Sequence, residues 1–385
     1  MKILIVSDVP TSPINAGNRK LISSYVSLFK RWGHEVHFLY VYRYYMRNHD
    51  RKEAKNAIPH MRQEWGKCLH LYKYSQQENV RANINIILGK VFDNGYRTCD
   101  GIYPHGLTKE IQRLHEAHGF DALLVNYFYL SKALEAIPIK RKALFTHDSF
   151  SLHEKSKNYK AAYYLTAEEE RKALERAPYI FAMQDIEAEY FKKLVPSAKV
   201  LVNYSNYEYH EQPIIGNHDI LFLSGASAFN LRGLTWFIKE IFPLIRDKFH
   251  DARLHIAGSI CEMIQKLENL EGVDLYGYVN DPYDFFMKGD VAINPCQVGT
   301  GLKIKTFEAV SYGKVTMVHP HSIIGIFRKD HAPVFASNVP KDWIDYLRKV
   351  WGEKDFIAFI KDGNKNYIES MNAFVENEYH TWLDD

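Results

Sequence analysis

Short apolar runs and amphipathic stretches alternate along almost the whole chain. "KILIVSD" (2–8), "EVHFLYV" (35–41), "DALLVNY" (121–127), "KALFTHD" (142–148), "YIFAM" (179–183) and "KVLVN" (199–203) read as buried strands. Between the first two, Leu21, Tyr25, Leu28, Phe29 and Trp32 recur at helical spacing, and Gly33 stops the pattern. A polar segment rich in Tyr and Asn, "YSNYEYHEQPIIGNHD" (204–219), then breaks the rhythm and reads as a linker. The alternation restarts with "ILFLSG" (220–225), a helix through "LTWFIKEIFPLIRDKF", and the strands "RLHIAG" (253–258), "VDLYGYV" (273–279), "VAINPC" (291–296) and "KVTMVHP" (314–320). Beyond residue 338 the pattern is helical only. Strand–helix–strand alternation with apolar strands predicts parallel sheets covered on both faces. The expectation is two doubly wound α/β domains, 1–205 and 218–353, with a terminal helix of 354–385 packing back on the first. Ligands are then expected where strands end at their C-termini, in a cleft between the domains.

Composition sharpens this picture only slightly. A chain of 385 residues suits two domains better than one core, and 46% hydrophobic residues belong to a folded protein. A formal charge of +3 gives no global pull towards nucleic acid. Cys68, Cys99, Cys261 and Cys296 are scattered without a C-x-x-C pair, which favours reduced thiols and a cytoplasmic protein, and argues against a cysteine zinc site. The opening "MKILIVSDVP" is too short in apolar residues for a signal peptide and fits a first strand. One basic, aromatic stretch, "YRYYMRNHDRKEAKNAIPHMRQEWGKCLHLYKY" (42–74), has two readings. It is either solvated helices between strands, or a surface for peripheral contact with the inner face of the cytoplasmic membrane or with a lipid-linked acceptor.

The most chemical stretch is "GTGLKIKTFEAVSYGK" (299–314), with three glycines, three lysines and one glutamate after an apolar strand. It is no Walker loop, because Val315 follows Gly313-Lys314, and no dinucleotide fingerprint, because Ile304 fills the third glycine position. The general physics of an anion site remains. Gly299 and Gly301 let backbone N–H groups approach an anion, and a helix starting near Leu302 would aim its positive end at the same place. Lys303 and Lys305 fall in that first turn, where the dipole disfavours cations, so at least one is expected to serve a ligand; the alternative is that they face solvent. Glu308, an acceptor only when ionised, suits a ribose diol or an ion pair with a nearby lysine.

These residues carry a family resemblance. "LFLSGASAFNLRGLTWFIKEIFPLIRDKFHDARLHIAGS", "GVDLYGYVNDPYDFFMKGDVAINP" and "GTGLKIKTFEAVSYGK" resemble, in order and spacing, the nucleotide-binding domain of GT-B retaining glycosyltransferases, family 4 of the sequence classification. "MKILIVSD…AGNRK…GHEVHFL" and "FTHDSF" resemble the other domain more loosely. The resemblance implies a GT-B fold of two Rossmann-like domains, a nucleotide-diphospho-sugar donor held by the C-terminal domain, and an acceptor held by the N-terminal one. It gives Glu308 the ribose hydroxyls. Many members carry a second glutamate eight positions earlier, facing the donor sugar; Thr300 stands there, so the amides of Gly299 to Leu302 are expected to meet the diphosphate or sugar instead. Members also grip the diphosphate with an Arg and a Lys after the first strand of this domain. Ala226 replaces the arginine and Arg232 lies near the lysine's place, so Lys303 is expected to supply part of the charge. Tyr278 and Val279 occupy the position of the base.

In the N-terminal half the resemblance sets His147 against the donor sugar, with Asp148 orienting its imidazole or capping the next helix. Gly17 would admit the diphosphate from this side, with Ser12, Asn15 and Asn18 adding hydrogen bonds. The chain has no D-x-D and no evident double-displacement carboxylate. The expectation is therefore a metal-independent, cofactor-free transfer by front-side attack; the resemblance implies retention, a UDP-sugar donor and a glycan or lipid-linked acceptor in bacterial surface polysaccharide synthesis. The rival readings are a nucleotide-sugar epimerase of similar fold and an inactive nucleotide-sugar-binding module.

Overall fold

A computed structural model describes residues 1–14, 16–43, 48–92, 98–152, 165–267, 270–279, 281–299 and 301–385. The chain forms two compact units, 1–205 together with 375–385, and 206–374. The first holds seven strands: β1 (Lys2–Ser7), β2 (Glu35–Tyr42), β3 (Leu69–Lys73), β4 (Ala122–Asn126), β5 (Arg141–Phe145), β6 (Tyr179–Ala182) and β7 (Lys199–Val202). They lie in the order β3-β2-β1-β4-β5-β6-β7, every pair parallel. The second holds β8 (Asp219–Leu223), β9 (Arg253–Ala257), β10 (Val273–Gly277), β11 (Val291–Asn294), β12 (Val315–Val318) and β13 (Val334–Ala336), parallel in the order β10-β9-β8-β11-β12-β13. Both sheets are doubly wound, and the winding reverses between β1 and β4 in one and between β8 and β11 in the other. Outside the C-terminal ends of such strand pairs, neighbouring crossovers leave in opposite directions and open a crevice.

Central strands such as β1, β4 and β11 are buried along nearly their whole length, which is why they read as continuous apolar runs. Two strands escape that signal. β3, "LHLYK", is a half-exposed edge strand inside the basic stretch 42–74, and β13 has three residues. Within 42–74, residues 44–47 lie outside the described residues, and a helix, Asn48–Trp65, precedes β3. Met61 and Trp65 on this helix are buried, as is Tyr74, so these residues pack inward rather than forming a membrane-facing surface. Among the described residues no helix is long and apolar enough to cross a membrane.

In the second unit, Phe237, Ile241 and Ile245 pack with Trp343, Leu347 and Val350 of helix Pro340–Gly352 against the face of β8, β9, β11 and β12. Trp343 is fully buried and donates its indole N–H to the Ser337 carbonyl at 2.9 Å, which removes the cost of burying it. The terminal helix, Lys354–Leu383, is divided between the units rather than belonging whole to the first. Ile357 and Ile360 enter the second core, whereas Tyr379 and Trp382 pack on Phe29 and Phe181 of the first. The segment that read as a linker is pinned to the second unit from Asn206 on. Asp290 accepts the Ile215 and Gly216 N–H groups at 3.0 and 2.7 Å, and Tyr209 donates to the Lys361 carbonyl at 3.1 Å.

Candidate functional site

The glycine-rich stretch leaves the C-terminal end of β11, at the winding reversal of the second sheet. Asn294, the last residue of β11, donates its amide to the Thr306 hydroxyl at 2.9 Å, tying the strand end to the first turn of helix Ile304–Ser311. Between them Gly299 and Gly301 have φ of 120° and 78°, backbone that L side chains rarely adopt. The Gly299 carbonyl accepts from Lys303 Nζ at 3.3 Å and from His321 Nε2 at 2.8 Å. Burial, with the Lys303 cation beside it, holds the His321 ring below its ordinary pKa, so a neutral imidazole braces the loop.

The facing wall comes from β8. Helix Ala228–Trp236 is capped by Ser227, whose hydroxyl accepts the Asn230 N–H at 3.1 Å. The Asn230 side chain donates to the Gly225 carbonyl at 2.8 Å and accepts from Lys305 Nζ at 2.9 Å and from the Cys296 thiol at 3.3 Å. Helix and loop approach closely at Gly233, where a Cβ would stand 2.5 Å from the Pro295 carbonyl oxygen. Lys305 thus spans the reversal, from the β11 loop to the β8 helix.

Helix Ile304–Ser311 starts against the usual local rules. Its N-cap is Lys303, no side chain caps it, its first turn has no acidic residue, and Lys305 lies inside that turn. The helix begins later than the expected Leu302, which makes Lys303 the cap itself. The third lysine of the stretch, Lys314, is buried at the opposite end of the sheet, donates to the Gly289 carbonyl at 2.9 Å, and is pushed down to about 8 by burial. It is a structural residue. Glu308 is partly buried on the helix, and its charge adds to the burial that raises the phenols of Tyr207 and Tyr312. Val279 packs with Phe285, Phe286 and Tyr312, while Tyr278 is 72% exposed. Arg232 is exposed on the β8 helix, and no hydrogen bond or ion pair engages it among the described residues. Thr300 and Asn15 lie outside the described residues.

In the first unit a second group gathers at its own winding reversal. Tyr127 and His147 follow β4 and β5, and both have positive φ, 68° and 62°. Their rings stack with centroids 4.2 Å apart. Two non-glycine residues in this region cost free energy that only surrounding structure can maintain, a pattern that concentrates at functional sites. His147 Nε2 lies 2.7 Å from Asn126 Oδ1, which also accepts from the Tyr25 hydroxyl at 2.8 Å, while Asn126 donates its amide to the Val6 carbonyl. An amide oxygen only accepts, so Nε2 carries the proton. Burial pushes the imidazole down to about 3, leaving it neutral. Asn126 holds the Nε2 side of the ring, and Asp148 accepts the Ser149 N–H at 3.0 Å.

The loop after His147 is held by Glu170, which accepts the Phe150 and Ser151 N–H groups at 2.8 and 3.1 Å and the Ser149 hydroxyl at 3.2 Å. Gly17 opens helix Gly17–Arg31, which also lacks a side-chain cap and first-turn acids. Asn18 donates to the Tyr127 hydroxyl at 3.0 Å, and Ser12 donates to Glu64. Beside them Asp8, at the end of β1, accepts both contacts of the Tyr129 hydroxyl at 2.9 and 3.0 Å. It lines a polar cavity of about 260 Å³ with Tyr40, Tyr42, Arg43 and Glu53. Burial raises the Asp8 carboxyl to about 6. Sequence reasoning missed Asp8, Asn126, Tyr127, Glu170, Asn230 and His321. For the first three a signal existed, since each stands at or just beyond the end of a strand beside the reversal.

Residues 217–352 match the family model described as Glycosyl transferases group 1. Solved structures match the whole chain at low identity. Sucrose-phosphate synthase from Thermosynechococcus elongatus has a TM-score of 0.65 at 9% identity, covering 100% of this chain and 98% of that one. TarM from S. aureus, as a variant in complex with fondaparinux, alpha-GlcNAc-glycerol and UDP, has 0.61 at 11%, covering 100% of both. HepE from Anabaena, with UDP and glucose, has 0.59 at 11%, again covering 100% of both. The fold is GT-B. No curated protein matches the sequence. Together the domain match and the GT-B neighbours support glycosyl transfer as the class of chemistry.

Two outcomes follow from this GT-B chain's buried carboxylates. The Asp8 carboxyl titrates near 6 when folded, against an ordinary value of 3.8, so the folded state binds the extra proton between those values. Stability should fall as pH rises from 4 to 6 and stay lower above it. Asp8→Asn should remove that fall, read as urea midpoints across the range; an unchanged pH profile would show that Asp8 is not the group. Glu170→Ala should cost about 1.5–3 kcal/mol for each strong charged hydrogen bond left without its acceptor, seen in the same unfolding assay.

Proposed function

We propose that this chain transfers a sugar from a UDP-sugar to a glycan or lipid-linked acceptor, with retention at the anomeric carbon and without a metal. The observation that carries the reading is the start of helix Ile304–Ser311. An uncapped helix N-terminus, with a lysine as N-cap, a second lysine in the first turn and two left-handed glycines before it, is locally unfavourable. A bound diphosphate would offset that cost, and the position at the winding reversal is where open α/β sheets take ligands. The family match spans this loop, and TarM and HepE were both solved with UDP.

In this reading the reaction builds negative charge on the departing diphosphate as the anomeric carbon becomes cationic. Lys303, Lys305 and the amides of 299–302 stabilise that charge in place, so little reorganisation is needed as the bond breaks. Glu308 takes the ribose hydroxyls, Tyr278 and Val279 border the base, and Arg232 is free to swing to a phosphate from the exposed face of its helix. In the first unit, His147 is neutral at physiological pH and serves as a hydrogen-bond partner for a sugar hydroxyl rather than as an acid. Gly17, opening an uncapped helix, offers a further approach for phosphate. Retention follows if the departing phosphate oxygen itself takes the acceptor proton on the same face. A cytoplasmic setting at the inner face of the membrane, in surface polysaccharide synthesis, suits such a donor and acceptor.

Lys303→Ala is expected to lower kcat by about 10²–10³-fold, the usual loss for one oxyanion-type donor. If only Lys305→Ala does so, the charge comes from the lysine held by Asn230. Glu308→Ala should abolish the thermal stabilisation that UDP gives, and unchanged stabilisation would remove Glu308 from the site. Melting with UDP, GDP and ADP in parallel reads the base, since a ligand at 100 times its Kd adds about 2.7 kcal/mol. Activity that requires Mn²⁺ and is abolished by chelators would overturn the metal-free mechanism.

A further inference from the structure

At the opposite end of the first sheet from its winding reversal, three histidines converge from separate elements. His37 is near the start of β2, His70 near the start of β3, and His118 ends helix His105–His118, just before β4. One ring nitrogen from each lies within 4.8 Å of the other two. His37 is buried and the other two are partly buried. The His37 and His70 rings are parallel within 4°, with His37 Nδ1 only 2.9 Å from His70 Nε2.

The protons can be assigned. His37 Nε2 lies 2.9 Å from a Glu35 carboxylate oxygen, which only accepts, so that nitrogen carries the proton. His37 Nδ1 is therefore a lone pair, and at present it accepts from His70 Nε2–H. A carboxylate that fixes the tautomer of a histidine whose other nitrogen points inward is the usual outer shell of a metal-bound imidazole. Three nitrogen ligands on one tetrahedral zinc at about 2.0–2.1 Å would stand about 3.3–3.4 Å apart, between the 2.9 and 4.8 Å seen here.

We infer that His37, His70 and His118 form a binding site for a divalent transition-metal ion, zinc being the ion that suits three imidazoles and one open position. Binding asks His70 to move its one ring proton from Nε2 to Nδ1, which frees the nitrogen that faces His37. The site lies at the N-terminal ends of the strands, away from Asp8 and His147 at their C-terminal ends. The ion would fasten the edge strand β3 and helix His105–His118 to β2, and would play no part in sugar transfer.

The test uses the full chain, stripped with a chelator and titrated with zinc chloride by calorimetry. One equivalent of zinc should bind, and X-ray absorption of the loaded native protein should show imidazole nitrogens at about 2.0–2.1 Å. His70→Gln and His118→Gln should each lose the zinc, the exposed His60→Gln should keep it, and Glu35→Gln should weaken it by about 10–100-fold. No saturable uptake by the native chain would overturn the inference. So would zinc that survives His70→Gln, or absorption spectra with only oxygen or sulfur ligands. None of these readouts depends on activity, so they stand apart from the proposed transfer reaction.

Discussion

The reversal of winding in each parallel sheet is the constraint from which the chemistry of this molecule follows. Where crossovers on two adjacent strands leave in opposite directions, the loops above them cannot cover one another, and backbone at the strand ends stays available. In the second unit that place is filled by the glycine turns, with Lys303 on the Gly299 carbonyl and Lys305 on Asn230. In the first it is filled by Asp8, Asn126, Tyr127 and His147. Neither group is contiguous in sequence. Each is assembled by hydrogen-bonded strand pairing.

Around these places the supporting contacts are polar and specific rather than apolar. Asn230 holds a lysine, a thiol and a carbonyl with one side chain, and Glu170 gathers two backbone N–H groups and the Ser149 hydroxyl. Buried groups that satisfy several partners are costly to disturb, because each abandoned partner remains out of water. Rigid positioning of any polar ligand needs that property more than it needs extra hydrophobic area.

The sequence carried the fold class well because central parallel strands are buried on both faces and so stand out as apolar runs. It carried β3 and β13 poorly, since an edge strand is half solvated and need not be apolar. The terminal helix was visible, but not its division between two cores, because Ile357 and Tyr379 look equally apolar on paper. Residue type and spacing single out Lys303, Lys305 and Glu308 as candidates for a phosphate and a diol. Lys314, in the same run, was not separable from them until its burial was seen. Asn126 stands at a strand end, which marks its place, but its partner His147 lies elsewhere in the sequence, and His321 reaches a distant glycine carbonyl that no local pattern marks. The histidine cluster is hidden for the same reason, its members coming from two strands and a helix.

The pairing of His147 with Asn126 also fixes the polarity of whatever approaches the imidazole. With Nε2–H committed to the amide oxygen, and the ring too deeply desolvated to take a second proton, Nδ1 can only receive a hydrogen bond. A hydroxyl group can satisfy it; an ether, a methyl or a carbonyl at the same point cannot. Nδ1 is thus an acceptor only, and the imidazole keeps that polarity without changing its charge.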